Sequence, residues 1–239
     1  MIRAVVFDFG QTLVDSADGF RAAEKEAQEK AFGALGLADR EGFLEVYRRI
    51  RNDFHSRSRF SRRVILEALF GHYGRTVDPA LLEGWENDYW RRIQAMTRVF
   101  PETTAVLEAL RNRGYRLAVI TNAQGQRNVG MHRIGNYPEL ERYFETVIVA
   151  GEAGIPAKPD PMPFCLCLAK LDIAAAEALY VGDDWRIDIL GSEAVGMHPV
   201  WLRHRSVRRN WPDVEAHVPV IGTLEEIFNL DCLSKGGKE

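Results

Sequence analysis

The amino-acid sequence predicts an α/β fold: a doubly wound parallel sheet with a small all-helical domain inserted after the first strand. Three observations lead to this prediction. An apolar, β-branched run at residues 2–7 opens the chain and ends at Asp8, as a buried strand would. Apolar residues then recur at helical spacing between residues 18 and 94. From Val99 onward, short apolar runs alternate with helical patterns, which is typical of parallel sheets covered by helices on both faces.

The helical segment, residues 17–96, is predicted to form four antiparallel helices, as in a small bundle. Because it interrupts the chain after the first strand, residues 1–16 and 97–239 are expected to form one α/β core domain. Asp78 and Pro79 are predicted as the N-cap and first residue of the fourth helix. The apolar positions that mark the four helices are Phe20, Ala27, Ala31 and Leu35; Phe43, Tyr47, Ile50 and Phe54; Ile65, Leu69 and Tyr73; and Leu81, Trp85 and Tyr89.

The remaining elements are predicted in the same way, from short apolar runs for strands and from apolar residues three or four positions apart for helices. Further strands are expected at residues 115–120, 146–150, 178–182 and 199–202, and helices at residues 102–113, 126–134, 160–171, 187–195 and 224–229.

Composition narrows the class of protein. The formal net charge of -3 argues against a dedicated nucleic-acid binder, because such domains are usually strongly basic. Three cysteines are too few for a disulfide framework and fit a reducing compartment. No run approaches the ~18 apolar residues of a membrane span, and the first residues lack the zones of a signal peptide. A soluble, cytoplasmic protein without a membrane partner is therefore expected.

Polar residues follow three of the predicted strands, and the carboxyl ends of parallel strands share one edge of a sheet. Clustered carboxylates repel one another unless a cation neutralises them, and Mg²⁺ prefers oxygen ligands. A lysine and a hydroxyl group opposite the metal would suit a phosphate. This combination suggests phosphoryl transfer to a carboxylate nucleophile. The residues concerned are Asp8, Thr121, Asn122, Asp183, Asp184 and Asp188, together with Lys158 in the segment AKPDP.

Four segments in order, FDFGQTL, VITN, KPDP and VGDDWRID, resemble the four motifs of the haloacid dehalogenase (HAD) superfamily. The likeness covers the whole α/β core, and four motifs in the correct order are far more specific than one. The resemblance implies a Rossmann-like core. The helical insertion is similar to the superfamily's four-helix, C1-type cap.

The resemblance also implies roles for individual residues. Asp8 resembles the nucleophile that forms an aspartyl-phosphate, and Lys158 resembles the lysine that holds nucleophile and phosphate together. Thr121 and Asn122 resemble the phosphate-binding pair. Mg²⁺ is the implied cofactor and a small phosphorylated metabolite the implied substrate, with a monomer or homodimer expected. The implied metal ligands are Asp8, the backbone carbonyl of Gly10, Asp183 and Asp188.

Gly10 departs from the family pattern, because phosphatases of the superfamily usually carry an aspartate there as general acid and base. Such catalysis contributes roughly 10²–10⁴-fold to the rate. The leading hypothesis is a magnesium-dependent phosphatase. The alternative is a catalytically weak protein of the same fold that binds a phosphorylated ligand or a protein partner. A haloacid dehalogenase is the less favoured third reading, since that branch generally has tyrosine at position 10.

Two further points stay open at this level. Asp184 is either part of the site or only the N-cap of the next helix. The arginines of the helical segment are expected at its solvated surface, with the alternative that one or two of them select an anionic substrate. These arginines are Arg48, Arg49, Arg51, Arg57, Arg59, Arg62 and Arg63.

Overall fold

The computed structural model of the protein describes residues 1–123 and 133–234. The strands of these residues are β1 (Ala4–Phe7), β2 (Val14–Asp15), β3 (Arg98–Val99), β4 (Arg116–Asn122), β5 (Thr146–Ala150), β6 (Ala178–Gly182), β7 (His198–Leu202) and β8 (Val220–Ile221). The α-helices are α1 (Ala17–Leu35), α2 (Arg40–Ser56), α3 (Arg62–His72), α4 (Pro79–Met96), α5 (Thr103–Asn112), α6 (Pro138–Glu141), α7 (Pro161–Leu171), α8 (Leu190–Ala194) and α9 (Asp231–Ser234).

Six of these strands form one parallel sheet in the order β5-β4-β1-β6-β7-β8. Strand β1 lies inside the sheet, with Ala4 opposite Arg116 of β4 on one side and Ala178 of β6 on the other. The remaining strands, β2 and β3, form a separate antiparallel pair. The predicted fold class, a parallel sheet with flanking helices, is confirmed.

Both faces of the sheet are buried, which explains why β1 is a continuous apolar run rather than an alternating one. Val5 and Phe7 point into one apolar cluster, which helix α5 covers. Ala4 and Val6 point into the opposite cluster, which helix α7 covers. Along β1 the first polar side chain comes directly after the strand ends, at Asp8.

The described chain separates into two compact units. One holds Met1–Ala17, Arg98–Asn122 and the described residues from 133 onward, and the other holds Asp18–Thr97 together with Ala123. The second unit is formed by the four long helices, whose buried residues include Phe43, Tyr47 and Leu69. No helix in the described ranges is both long and apolar enough to cross a lipid bilayer.

The buried face of α4 differs from the predicted one. Leu81 is 44% exposed, and the buried positions are Leu82, Glu86, Tyr89 and Ile93. Because one of these buried positions is the charged residue Glu86, the spacing of apolar residues alone does not reveal the buried face of α4. The Glu86 carboxylate is buried because it accepts hydrogen bonds from the Ser61 hydroxyl at 2.8 Å and from the first backbone N–H of α3 at 2.6 Å.

One arginine of the helical unit is buried, although the arginines of this unit were expected at its solvated surface. Arg62 is 5% exposed, and its Nε lies 3.0 Å from Glu24 Oε2 while Nη2 donates to the Tyr89 hydroxyl at 2.8 Å. A buried arginine is stable only with partners of this kind. Its inward position therefore reflects an ion pair inside the bundle.

Other differences concern short elements. The last predicted helix is a 3₁₀ helix over Leu224–Asn229, and the predicted helix at 187–195 begins as a π turn over Trp185–Ile189 before α8. The short strands β2, β3 and β8 and the helices α6 and α9 were not predicted, since two to four residues carry too little periodic signal. Of the helix predicted at 126–134, residues 126–132 lie outside the described residues, and Arg133–Asn136 form a 3₁₀ turn.

Candidate active site

The sheet brings most of the predicted residues together at one edge. Asp8 directly follows β1, Thr121 and Asn122 end β4, and Asp183 directly follows β6. The register makes these strand ends level, because Phe7 pairs with both Val119 and Val181. All four polar residues are at most 8% exposed. The parallel topology is therefore what converts distant sequence positions into one cluster.

Lys158 is the centre of this cluster. Its side chain is fully buried, and Nζ lies 2.9 Å from Asp8 Oδ1 and 2.7 Å from Asp188 Oδ1. The same nitrogen lies 2.9 Å from both the Ile120 carbonyl oxygen and the Tyr180 hydroxyl. Burial alone would lower the pKa of Lys158, but the two carboxylates raise that pKa well above its usual value. The lysine is therefore a permanent buried cation between two aspartates.

Asn122 fixes the backbone on which this lysine is carried. Its Oδ1 accepts a hydrogen bond from the Lys158 N–H at 2.8 Å, and its Nδ2 donates to the Lys158 carbonyl at 3.3 Å. Both amide atoms of Asn122 are thus engaged with the loop before α7. Thr121, beside it, is also buried. The phosphate contacts assigned to this pair by the family resemblance stay predictions.

Three buried carboxylates lie together and can act as metal ligands. One oxygen each of Asp8, Asp183 and Asp188 lies within 4.8 Å of the others. Burial raises the pKa of Asp8 to about 6, although Lys158 opposes this shift, and burial also raises the pKa of Asp183 well above its ordinary range. An all-oxygen set in which Asp8 and Asp183 are costly to ionise alone fits a hard divalent cation such as Mg²⁺.

The Asp188 carboxylate is held from two sides. Its Oδ2 accepts a hydrogen bond from the Asp184 backbone N–H at 3.0 Å, while Oδ1 faces Lys158. Gly182 allows this approach, since a Cβ built there would lie 2.5 Å from Asp188 Cβ. The Asp184 side chain accepts hydrogen bonds from the N–H groups of Arg186 and Ile187, both at 3.0 Å. Asp184 therefore caps the π turn that carries Asp188.

Asp183 has two partners that the sequence did not suggest. Its Oδ2 forms an ion pair with Arg209 Nη1, and its backbone carbonyl accepts a hydrogen bond from Trp201 Nε1 at 2.9 Å. Arg209 belongs to the long connection between β7 and β8, which has no periodic pattern. Tyr180, which bonds Lys158, was missed for another reason: inside a buried strand its position reads as apolar core.

The turn after Asp8 is tightly folded. Gln11 takes a left-handed conformation, with φ of 63°, and its Oε1 accepts a hydrogen bond from the Ser16 N–H at 3.3 Å. The Arg133 guanidinium pairs with the Ser16 hydroxyl, and its Nη1 would lie 2.9 Å from a Cβ placed on Gly10. An arginine therefore stands beside Gly10, the position at which the family resemblance predicts a second aspartate.

Comparison with known proteins decides the family. Residues 2–196 match the family model described as haloacid dehalogenase-like hydrolase. The chain belongs to this family. As a haloacid dehalogenase-like hydrolase it is an enzyme, and its curated relatives include proteins named as phosphatases.

One such relative is the ribulose-1,5-bisphosphate 5-phosphatase of Halopiger xanaduensis, which is 31% identical over 84% of both chains. The phosphoserine phosphatase of Thermus thermophilus is 34% identical over 56% of this chain, which spans only 52% of that relative's length. Among solved structures, the 2-haloacid dehalogenase of Pseudomonas syringae pv. Tomato superposes with a TM-score of 0.65 at 27% identity, covering 98% of this chain and 99% of that one. The hydrolase family is thus secure, and its members differ in the bond they cleave.

Proposed function

We propose that this hydrolase is a Mg²⁺-dependent phosphatase that acts on a small phosphorylated metabolite through Asp8. The observation that carries the proposal is the buried group formed by Asp8, Lys158, Asp183 and Asp188. A carboxylate nucleophile must approach a negatively charged phosphoryl group, so positive charge has to be concentrated around it. Lys158 supplies one such charge, and the names of the phosphatase relatives point to the same chemistry.

In the proposed reaction Asp8 attacks the phosphorus atom, and the leaving-group oxygen departs with the electrons of the P–O bond and takes a proton from solvent. Water then attacks the phosphorus atom of the aspartyl-phosphate and loses a proton to solvent, and the bond to Asp8 breaks, which releases inorganic phosphate and returns Asp8 to its carboxylate form. Lys158 holds the Asp8 carboxylate in place, and Thr121 and Asn122 are proposed to contact the phosphoryl oxygens. When bound by Asp8, the Gly10 carbonyl, Asp183 and Asp188, Mg²⁺ would supply charge neutralisation for the phosphoryl group. The helical unit is proposed as the family's substrate-selecting cap.

A second candidate function rests on the surroundings of Gly10. The side chain beside it, Arg133, stays protonated at any physiological pH and so cannot exchange a proton with a leaving group or water. A protein with this arrangement could bind a phosphorylated ligand and turn it over slowly. Haloacid dehalogenation is less well supported, because three buried carboxylates suit a metal ion and that reaction is expected to need none.

A substrate panel separates these functions. The purified protein is incubated with Mg²⁺ and a broad set of phosphate esters, with acetyl phosphate as a substrate whose leaving group needs little protonation. Phosphate release that is lost with a chelator supports the phosphatase. Ligand binding with negligible release supports the slow binding protein. Halide release from a 2-haloacid in the presence of the chelator supports a dehalogenase.

A further inference from the structure

The Asp183 carboxylate is held in the protein by a cation that belongs to a remote segment. Arg209 lies between β7 and β8, and its Nη1 pairs with Asp183 Oδ2. The Asp183 side chain is 7% exposed and that of Arg209 31%. The contact is therefore a partly buried ion pair at the edge of the carboxylate cluster, where water screens it only in part.

An aromatic support fixes Arg209 in this position. Its guanidinium carbon lies 4.5 Å from the centre of the Trp211 ring, within cation–π range. Trp211 packs edge-to-face against Trp201 at 6.1 Å, and Trp201 donates to the Asp183 carbonyl. The four residues thus form a closed ring of contacts that joins the connection between β7 and β8 to the end of β6.

A divalent cation and Arg209 would compete for the same carboxylate. Three buried carboxylates, those of Asp8, Asp183 and Asp188, face two protein cations, Lys158 and Arg209, and Asp184 adds a partly buried negative charge beside Asp183. A Mg²⁺ ion bound at Asp183 with Arg209 in place would lie a few ångströms from the guanidinium. With Arg209 displaced, that repulsion is removed and Asp183 Oδ2 becomes available as a ligand. Like charges a few ångströms apart in a poorly screened site repel strongly.

We propose that Arg209 is a built-in competitor of the metal ion: it occupies Asp183 in the metal-free protein and must leave that carboxylate before Mg²⁺ binds. The proposal rests on the proposed metal site, although not on the identity of the substrate. Its consequence is that metal binding rearranges the Arg209–Trp211 contact. The connection between β7 and β8 then responds to the metal content of the site.

The test is Mg²⁺ binding to the full chain without substrate, measured by calorimetry and by tryptophan emission. Arg209→Gln removes the competing charge and is expected to bind Mg²⁺ about fivefold more tightly, which corresponds to about 1 kcal/mol for the lost ion pair. Arg209→Lys keeps the charge and should stay near the natural affinity. Arg203→Gln is the matched control, because Arg203 lies over Trp201 and over Trp211, the ring that Arg209 also contacts. Its affinity should be unchanged.

Four results would overturn the proposal. Weaker Mg²⁺ binding by Arg209→Gln would show that the arginine positions Asp183 for the metal. If Arg203→Gln increases the affinity for Mg²⁺ as much as Arg209→Gln does, the cause is a loosened connection between β7 and β8, and Arg209 does not compete with the metal for Asp183. Absence of Mg²⁺ binding in every variant would remove the proposed metal site itself, whereas unchanged binding in Arg209→Gln would remove only the competition. The Mg²⁺-induced change in emission should also disappear in Trp211→Phe, which keeps Arg209 and Asp183.

Discussion

Replacing Asp8 by asparagine should make the metal-free protein more stable at neutral pH. The structure buries Asp8 beside a second carboxylate, and burial is the largest cause of its raised pKa. The asparagine has the same shape, carries no charge and can still accept a hydrogen bond from Lys158 through its Oδ1. The substitution therefore removes a negative charge whose burial lowers the free energy of unfolding. It also removes the proposed nucleophile.

The size of this stabilisation follows from the pKa of Asp8, which rises from 3.8 to about 6 on folding. Between these values the folded protein keeps a proton that the unfolded chain has lost, so the free energy of unfolding falls as the pH rises. Above about pH 6 the full cost applies, and two units of pKa correspond to about 3 kcal/mol. The stabilising effect of Asp8→Asn should thus be present at pH 7.5 and vanish near pH 4.

The assay is thermal unfolding in a chelator across this pH range. For a chain of this size about 3 kcal/mol corresponds to roughly 6–12 °C in Tm. Saturating Mg²⁺ should reduce the Tm difference between Asp8→Asn and the natural protein, since the ion stabilises the ionised Asp8 carboxylate, which only the natural protein has. The exposed Asp213→Asn serves as control. A Tm difference that is absent at pH 7.5, or that is constant from pH 4 to 7.5, would refute the account of Asp8.

Four further variants test the residues that surround Asp8 and Lys158. Tyr180→Phe should lower the free energy of unfolding by about 1 kcal/mol and kcat by less than tenfold. Lys158 Nζ keeps Asp8, Asp188 and the Ile120 carbonyl as partners for its three hydrogens. A total loss of activity would contradict this. Asn122→Ala should cost about 1–3 kcal/mol in chemical denaturation and lower kcat more than Tyr180→Phe does, because it leaves both backbone groups of Lys158 unpaired. Gly10→Asp alone should change hydrolysis little, since Arg133 would pair with the new carboxylate and keep it ionised. Gly10→Asp combined with Arg133→Gln should raise kcat by roughly 10²-fold, as general acid catalysis does, and a rise of that size from Gly10→Asp alone would contradict the role given to Arg133.

The sequence predicts which polar residues meet at one edge of the sheet, because the end of each strand can be recognised from its own local pattern of residues. Asp8 and Asp183 each follow a short apolar run that is typical of a buried strand, and parallel topology brings the two strand ends to one edge. Asp184 illustrates the limit of this reasoning. A carboxylate before a helix can be a cap or a ligand, and only its hydrogen bonds to the next backbone N–H groups show that it caps the turn.

Residues that reach the site from elsewhere in the chain were not predictable in the same way. Arg209 follows Asp183 by 26 residues and lies in a connection whose path no periodicity describes. Arg133 lies in a short 3₁₀ turn where a helix was expected. Glu86 and Arg62 belong to helices that were predicted, but a buried charge is recognisable only when its partners are known. Long-range ion pairs are thus the part of the fold that local patterns leave undetermined.

The central claim is that Asp8 receives the phosphoryl group, and the most direct measurement is the mass of the acid-quenched protein after incubation with acetyl phosphate and Mg²⁺. We expect an adduct of one phosphoryl group that maps to the peptide containing Asp8 and is absent from Asp8→Asn. A phosphoryl adduct on another residue, or phosphate release by Asp8→Asn at the natural rate, would contradict it.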